Sequence, residues 1–261
     1  MAKIISLVNQ KGGVGKTTTS INLASSLGKQ GQKVLIIDLD PQGNTSVGLG
    51  LNKSDYSIDI YDVITKKCDP KRAIIKTEFE NLSIIPATIR LAGIDIEFIR
   101  KFCNDEAFLQ NQQLKNALNK IKNDYDFIII DCPPALGVLT TNALVASDSI
   151  IIPVQCEFFA LEGITQLLNS VIMIQSKLNP NLKIEGVLLT MLDARTNIGL
   201  EVVEEVRKYF RDKVFNTIIP RLVRLVEAPS HGKPISEYDP GCRATEAYTN
   251  LAKEVIERNG K

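Results

Sequence analysis

The stretch "KIISLVNQKGGVGKTTTSINLASSL", Lys3 to Leu27, decides the fold. It opens as an apolar run of strand length and closes, from Thr17 onward, in a helical pattern, with a glycine-rich turn between. That order makes an anion site. Backbone N–H groups converge in the turn, the helix N-terminus favours negative charge, and glycine lets phosphate approach the main chain. The common spelling of such a loop is G-x-x-x-x-G-K-[ST]. Counting back from Gly15, Lys16 and Thr17, the first glycine belongs at position 10, where this chain has Gln10. Instead Gly12 and Gly13 stand inside the loop, with a second lysine, Lys11, before them. Lys16 is placed to neutralise β- and γ-phosphates and the Thr17 hydroxyl to ligate Mg²⁺.

Outward from this loop, strands are expected at "KVLIID", "LSIIP", "DFIIID", "SIIIPV" and "IEGVLLTML", with "VFNTIIP" a shorter candidate. Continuous apolar character, without alternation, suits strands buried on both faces of a parallel sheet. Helices are expected at residues 17–30, 107–122, 136–147, 161–178, 199–211 and 243–258. Residues 51–80 are more polar and read as a surface excursion. The alternation predicts one α/β domain over residues 1–261, a doubly wound, mostly parallel sheet flanked by helices, of the P-loop NTPase kind. Two strands end in acids: "VLIIDLDPQGN" supplies Asp38 and Asp40, and "YDFIIIDCPPAL" supplies Asp131. Strand C-termini are where doubly wound sheets bind ligands, so these carboxylates complete a metal-assisted phosphoryl site.

Composition narrows the alternatives. With 44% hydrophobic residues, 23% charged and a net charge of +1, the chain reads as an ordinary globular protein, and any nucleic-acid site must be a local patch. Five scattered cysteines without a C-x-x-C suit a reducing compartment, and a single histidine, His231, argues against histidine-rich metal sites. The sequence opens directly on the first strand, so neither a signal peptide nor an N-terminal helix-turn-helix is expected. The apolar runs are too short for a membrane span.

The segments "KGGVGKTT", "DLDPQGN", "DFIIIDCPP", "LTMLDART" and "VRLVEAPSHGKPISEYDP" together resemble the ParA/Soj family of chromosome and plasmid partition ATPases, over nearly the whole chain and least between 51 and 110. The resemblance implies an ATPase with Mg²⁺ that forms a homodimer around ATP. Lys11 matches the signature lysine of the deviant Walker A loop, which reaches the partner subunit's phosphates in the manner of an arginine finger. Gly12 matches a position that must stay small where the partner approaches. The nucleotide would lie on Lys11, Gly12, Gly13, Val14, Gly15, Lys16, Thr17 and Thr18. Asp40 matches the aspartate that positions the attacking water, and Asp38 and Asp131 match positions that organise Mg²⁺. Adenine would be met by the segment of Pro220 and Leu222; the family commonly has Asn where Leu222 stands, and a leucine side chain cannot hydrogen-bond. Val226, where serine is common, has no functional reading.

Residues 207–224 hold Arg207, Lys208, Arg211, Lys213, Arg221 and Arg224 against Asp212. Arg195 and Arg224 match arginines that the family uses for non-specific DNA binding through phosphates. The implied partners are a ParB/Spo0J-type centromere-binding protein and, for chromosomal members, a replication initiator; the implied location is cytoplasmic and nucleoid-associated. Three other readings stand beside this one. A MinD-like membrane-associated ATPase would end in a basic amphipathic tail, unlike "LAKEVIERNGK". An iron–sulfur reductase would need two cysteines facing a dimer axis, for which Cys103 and Cys132 are the candidates. A tyrosine kinase would carry a terminal tyrosine cluster.

Overall fold

The computed structural model describes residues 1–104, 109–157 and 164–260. Among these, seven strands form one sheet: β1 (Lys3–Leu7), β2 (Val34–Asp38), β3 (Ile75–Lys76), β4 (Leu82–Ile85), β5 (Phe127–Asp131), β6 (Ser149–Gln155) and β7 (Lys183–Thr190). Their order is β3-β4-β2-β5-β1-β6-β7, and every neighbouring pair is parallel except β3 with β4. The helices are α1 (Lys16–Lys29), α2 (Asn44–Gly48), α3 (Ile60–Ile64), α4 (Ile94–Asn104), α5 (Gln113–Leu118) and α6 (Val138–Ala146). They continue with α7 (Ile164–Lys177), α8 (Asn197–Phe210), α9 (Arg224–Ser230), α10 (Ile235–Tyr238) and α11 (Arg243–Arg258).

The apolar strands are explained by two cores. Leu35, Ile37, Ile128, Ile130, Ile150 and Ile152 face one side with residues of α3 to α8; Val34, Ile36, Phe127, Ile129 and Ile151 face the other with α1, α9, α10 and α11. Successive strand residues alternate between faces, so a strand covered on both must be apolar throughout. On the second side α11 lies against α1, where the buried Tyr248 hydroxyl meets Thr19 Oγ1 at 3.3 Å.

Three expectations need correction. The "VFNTIIP" segment is no strand: it meets β7 and its continuation in isolated bridges at Val214 and Pro220, with the N–H groups of Phe215 and Ile219 donating to β7. Between those points the N–H groups of Asn216 and Thr217 donate to the Glu254 carboxylate of α11 (2.8 and 2.7 Å), which draws the backbone off the ladder. The helix expected over 107–122 is only the one turn and a half of α5, and residues 107–108 lie outside the described residues; α4, just before, was not expected. The described part of α7 runs from Ile164, and the expected start at 161–163 lies outside the described residues. Residues 51–80 are not all surface. Ile60, Val63 and Ile64 of α3 are buried in the core, their helix started by a capping box between Asp59 and Asp62.

Gly28 shows how tightly the sheet holds its helices. A Cβ there would stand 2.3 Å from the Glu80 carbonyl oxygen, just before Asn81, whose side chain donates to the Gly28 carbonyl (3.1 Å). Alanine normally gains about 0.5–1 kcal/mol over glycine inside a helix. Here the clash is with backbone and cannot relax cheaply, so Gly28→Ala should destabilise by about 1–3 kcal/mol. Urea unfolding would show this as a lower midpoint at unchanged slope.

Candidate active site

The loop is pinned before any ligand arrives. Asn9 donates its side-chain N–H to the Pro153 carbonyl (2.7 Å) and accepts the Lys11 N–H (3.0 Å), which fixes the exit from β1. On the far side Thr190 Oγ1 donates to the Val14 carbonyl (2.9 Å). The turn needs left-handed backbone at Gly13 (φ +75°) and Gly15 (φ +87°), which is why glycine occupies both. Then α1 begins without a side-chain cap or an acid in its first turn, leaving its N–H groups and positive end for an anion.

Lys16 is buried, and its Nζ donates to the Lys11 carbonyl at 3.2 Å. Burial holds its pKa below the ordinary lysine value, while the charges of Asp131 and Asp40 act the other way. Lys11, by contrast, carries an exposed side chain at the mouth of the loop. The structure thus gives the two lysines different places, one inside the site and one on its rim.

Three strand ends meet beneath the loop: Asp131 pairs in register with Leu7 of β1 and with Asp38 of β2. Asp131 is fully buried and accepts hydroxyls from Thr17 (2.8 Å) and Thr45 (2.6 Å) on Oδ2 and from Ser20 (3.0 Å) on Oδ1. Burial raises its pKa, and the hydroxyls of Thr45, Thr17 and Ser20 pull it back. Asp38, also fully buried, accepts the Ser46 N–H (2.9 Å) and hydroxyl (2.7 Å), and burial beside Asp131 pushes its carboxyl up to about 7. Asp40 lies at the cleft, where its carboxylate accepts the Gln42 N–H at 2.9 Å.

Two desolvated carboxylates with one buried lysine leave a demand for positive charge. The hydroxyl of Thr17 and these carboxylate oxygens are hard donors of the kind Mg²⁺ takes. Among the described residues no group of three or more His, Cys, Asp and Glu side chains could hold a metal ion.

The cleft itself has a volume of 350 Å³, lined by Gly12, Gly13, Gly15, Lys16, Thr17 and Thr18 on one side and Asp40, Gln42 and Asn44 on the other, with Pro134 and Met191. A larger cavity of 620 Å³, between α3 and α5, contains none of these groups, so chemistry and not volume selects the site. Pro220 and Leu222 do not line the cleft. Pro220 bridges to Leu192, the residue after Met191, and the half-buried Leu222 packs against the second core. Sequence reading missed Ser20, Thr45, Ser46, Gln42, Asn44, Pro134 and Met191. Ser20 had a visible signal, lying one helical turn beyond Thr17.

Arg195 and Arg224 stand elsewhere on the surface. Arg195 is 88% exposed but held bidentately by Asp193 (2.8 and 2.7 Å), whose carboxyl those hydrogen bonds lower to about 2. Arg224, at the start of α9, meets Glu227 (3.1 Å) and Asp239 (3.6 Å), and Arg221 meets Glu157 (3.8 Å). The local excess of positive charge counted along residues 207–224 is therefore partly neutralised by acids from outside the run.

The model of the AAA domain family matches residues 2–184. Over 255 residues the chain is 58% identical to the sporulation initiation inhibitor protein Soj of Bacillus subtilis, covering 98% of each. It is 49% identical to the chromosome-partitioning ATPase Soj of Treponema pallidum over the full length of both. The chain belongs to the ParA/Soj family. Solved structures place this ParA/Soj-family chain among P-loop ATPases. Cobyrinic acid a,c-diamide synthase of Mycobacterium smegmatis with an ATP analog and magnesium superposes with a TM-score of 0.87 at 32% identity, covering 100% of this chain and 97% of that one. The septum site-determining protein MinD of Pyrococcus horikoshii, complexed with Mg-ADP, gives 0.81 at 28%, covering 100% and 98%. MinD is thus the more distant relative in sequence.

The iron–sulfur reading loses its ligands in this family member. Cys132 is packed into the apolar core, where burial raises its pKa, whereas Cys103 is exposed on α4. Burial likewise raises Cys156 to about 11. A thiol-reactive dye should therefore label Cys103 rapidly in the native protein and reach Cys132 and Cys156 only after denaturation. Fast native labelling of Cys132 would contradict this placement.

Proposed function

We propose that residues 1–261 work as one DNA-partition ATPase domain that binds ATP with Mg²⁺ in the cleft, pairs with a second copy across the nucleotide, and holds DNA non-specifically in that state. The observation that carries this reading is the division of labour between the lysines: Lys16 buried within the site and Lys11 exposed at its rim. The open N-terminus of α1 and Lys16 bind the phosphates of the chain's own nucleotide. Thr17, Asp38 and Asp131 would hold Mg²⁺, which when bound neutralises charge between the phosphates. Asp40, facing the cleft, orients the attacking water. Lys11 has no phosphate of its own to serve and reaches that of the partner subunit, adding positive charge where the transferring group needs it. The match of family and site supports a ParB/Spo0J-type protein as the stimulating partner and a replication initiator as a further one. It also supports a cytoplasmic, nucleoid-bound location. Among the described residues no helix is long and apolar enough to cross a membrane.

Lys16→Ala should abolish nucleotide binding, because the phosphates lose their cation within the subunit. Lys11→Ala should keep ATP affinity close to wild type and yet sediment as a monomer with ATP. Calorimetry and analytical ultracentrifugation separate the two; an ATP-dependent dimer of the Lys11 variant would remove its trans role.

The ion pairs on the surface change what is expected of the arginines. Asp193 holds Arg195 and would itself repel DNA phosphate, so Asp193→Asn should tighten DNA binding. It should also steepen the plot of log affinity against log salt, by up to about 0.9 for each further phosphate neutralised. Arg195→Glu and Arg224→Glu should weaken binding alike across unrelated sequences, with ATP-driven pairing intact. Selective loss on one DNA sequence would point to base reading instead.

A further inference from the structure

The turn carrying Asp40 is tied down at both ends by carboxylates. Asp38 accepts the Asp40 N–H through Oδ1 (3.3 Å) and the N–H and hydroxyl of Ser46 through Oδ2 (2.9 and 2.7 Å), so one side chain spans the whole turn. The Ser46 oxygen also accepts the Ala87 N–H at 3.1 Å, fastening α2 to the end of β4. Next to it, Thr45 donates to Asp131 Oδ2, the same oxygen that accepts from Thr17 of the phosphate loop. Besides the packing of Gly48 against Ile21, the Asp40 turn is therefore tied to α1 by hydrogen bonds that meet on a single buried oxygen atom.

That oxygen has two acceptor directions, and Thr17 and Thr45 occupy both. Ser20 takes one of those on Oδ1. With its proton committed to Asp131, the Thr17 hydroxyl turns its lone pairs away from the aspartate, the orientation a cation ligand needs. Thr45 and Ser46 are fully buried, and packing alone does not require a hydroxyl at position 45, since valine has the same shape.

We propose that Thr45 is a positioning residue for hydrolysis: through Asp131 its hydroxyl fixes where Asp40 stands relative to Lys16 and Thr17. The proposal rests on the reading of Asp40 as the group that orients water. Loss of the Thr45 hydroxyl leaves α2 held on α1 by apolar packing alone and loosens the turn, while the loop, Lys16 and the helix N-terminus keep their hold on nucleotide. Binding and turnover should then separate.

The test compares Thr45→Val, which removes the hydroxyl at constant shape, with Thr45→Ser, which keeps it. Thr45→Val should lower kcat about 10- to 100-fold, the usual range for partners that orient a ligand or its neighbour, with ATP affinity little changed. Thr45→Ser should recover most of that loss. A second readout needs no ATP. The amides of Gln42 and Gly43 bond to Asp40, and in nucleotide-free Thr45→Val their hydrogen exchange should quicken about tenfold, with amides of β1 and β5 unaffected. Wild-type turnover in Thr45→Val, or unchanged exchange at Gln42 and Gly43, would overturn the proposal. A parallel fall in turnover, ATP affinity and melting temperature would also overturn it, as a role in folding. If Asp40→Ala kept full turnover while exchange still answered to Thr45, the role given to Asp40 would be at fault and the positioning by Thr45 would stand.

Discussion

A carboxylate without access to water, Asp131, is the constraint around which this protein is arranged. Placed at the end of the central strand β5 beside the equally buried Asp38, it is far costlier to bury than the apolar side chains around it, and an isolated charge there would simply take up a proton. Three hydroxyls offset part of that cost, and its charge in turn favours the protonated form of Lys16. Each of those groups has to come from an element with its own reason to be there. Thr17 and Ser20 arrive because α1 packs across the sheet, and Thr45 arrives because β2 ends beside β5. The site is thus a consequence of strand order, and the order of a covalent chain cannot be altered by one side chain.

Much of this was readable in advance because it obeys simple periodicities. A strand, a turn with glycines at fixed positions and a helix leave an unmistakable trace, as do aspartates closing apolar runs. The strands buried on two faces were legible for the same reason: Ile36 and Ile37 serve opposite cores, so neither could be polar. What escaped were short elements whose existence depends on contacts distant in sequence. The two-residue β3 and five-residue α2 and α3 carry too few residues to show a period. The "VFNTIIP" segment had strand composition but lost its ladder to Glu254, a residue more than thirty positions away.

Polar groups within the site were harder to foresee than the charged ones. Serine and threonine are common at helix starts and turns, so nothing in "GNTS" distinguishes a helix cap from a donor to two buried acids. The surface arginines pose the opposite difficulty. Charge counted along the chain ignores partners such as Glu157 and Asp239, and exposed pairs of this kind add little to stability while still competing with any phosphate that approaches.

The margins of the sheet carry a consequence for how copies of this protein can meet. One margin is β3, only two residues long and antiparallel, ending in the exposed Lys76; at the other, β7 is shadowed by residues 214–220, bonded to it at Phe215 and Ile219. Short length, an exposed lysine and a covering segment are the devices by which sheets refuse further strands. Among the described residues a second molecule finds no long row of free N–H and C=O groups to extend. Assembly by strand addition is closed off, and with it the runaway stacking that open sheets invite. Association is left to side chains and loops, contacts that a small ligand can make or break.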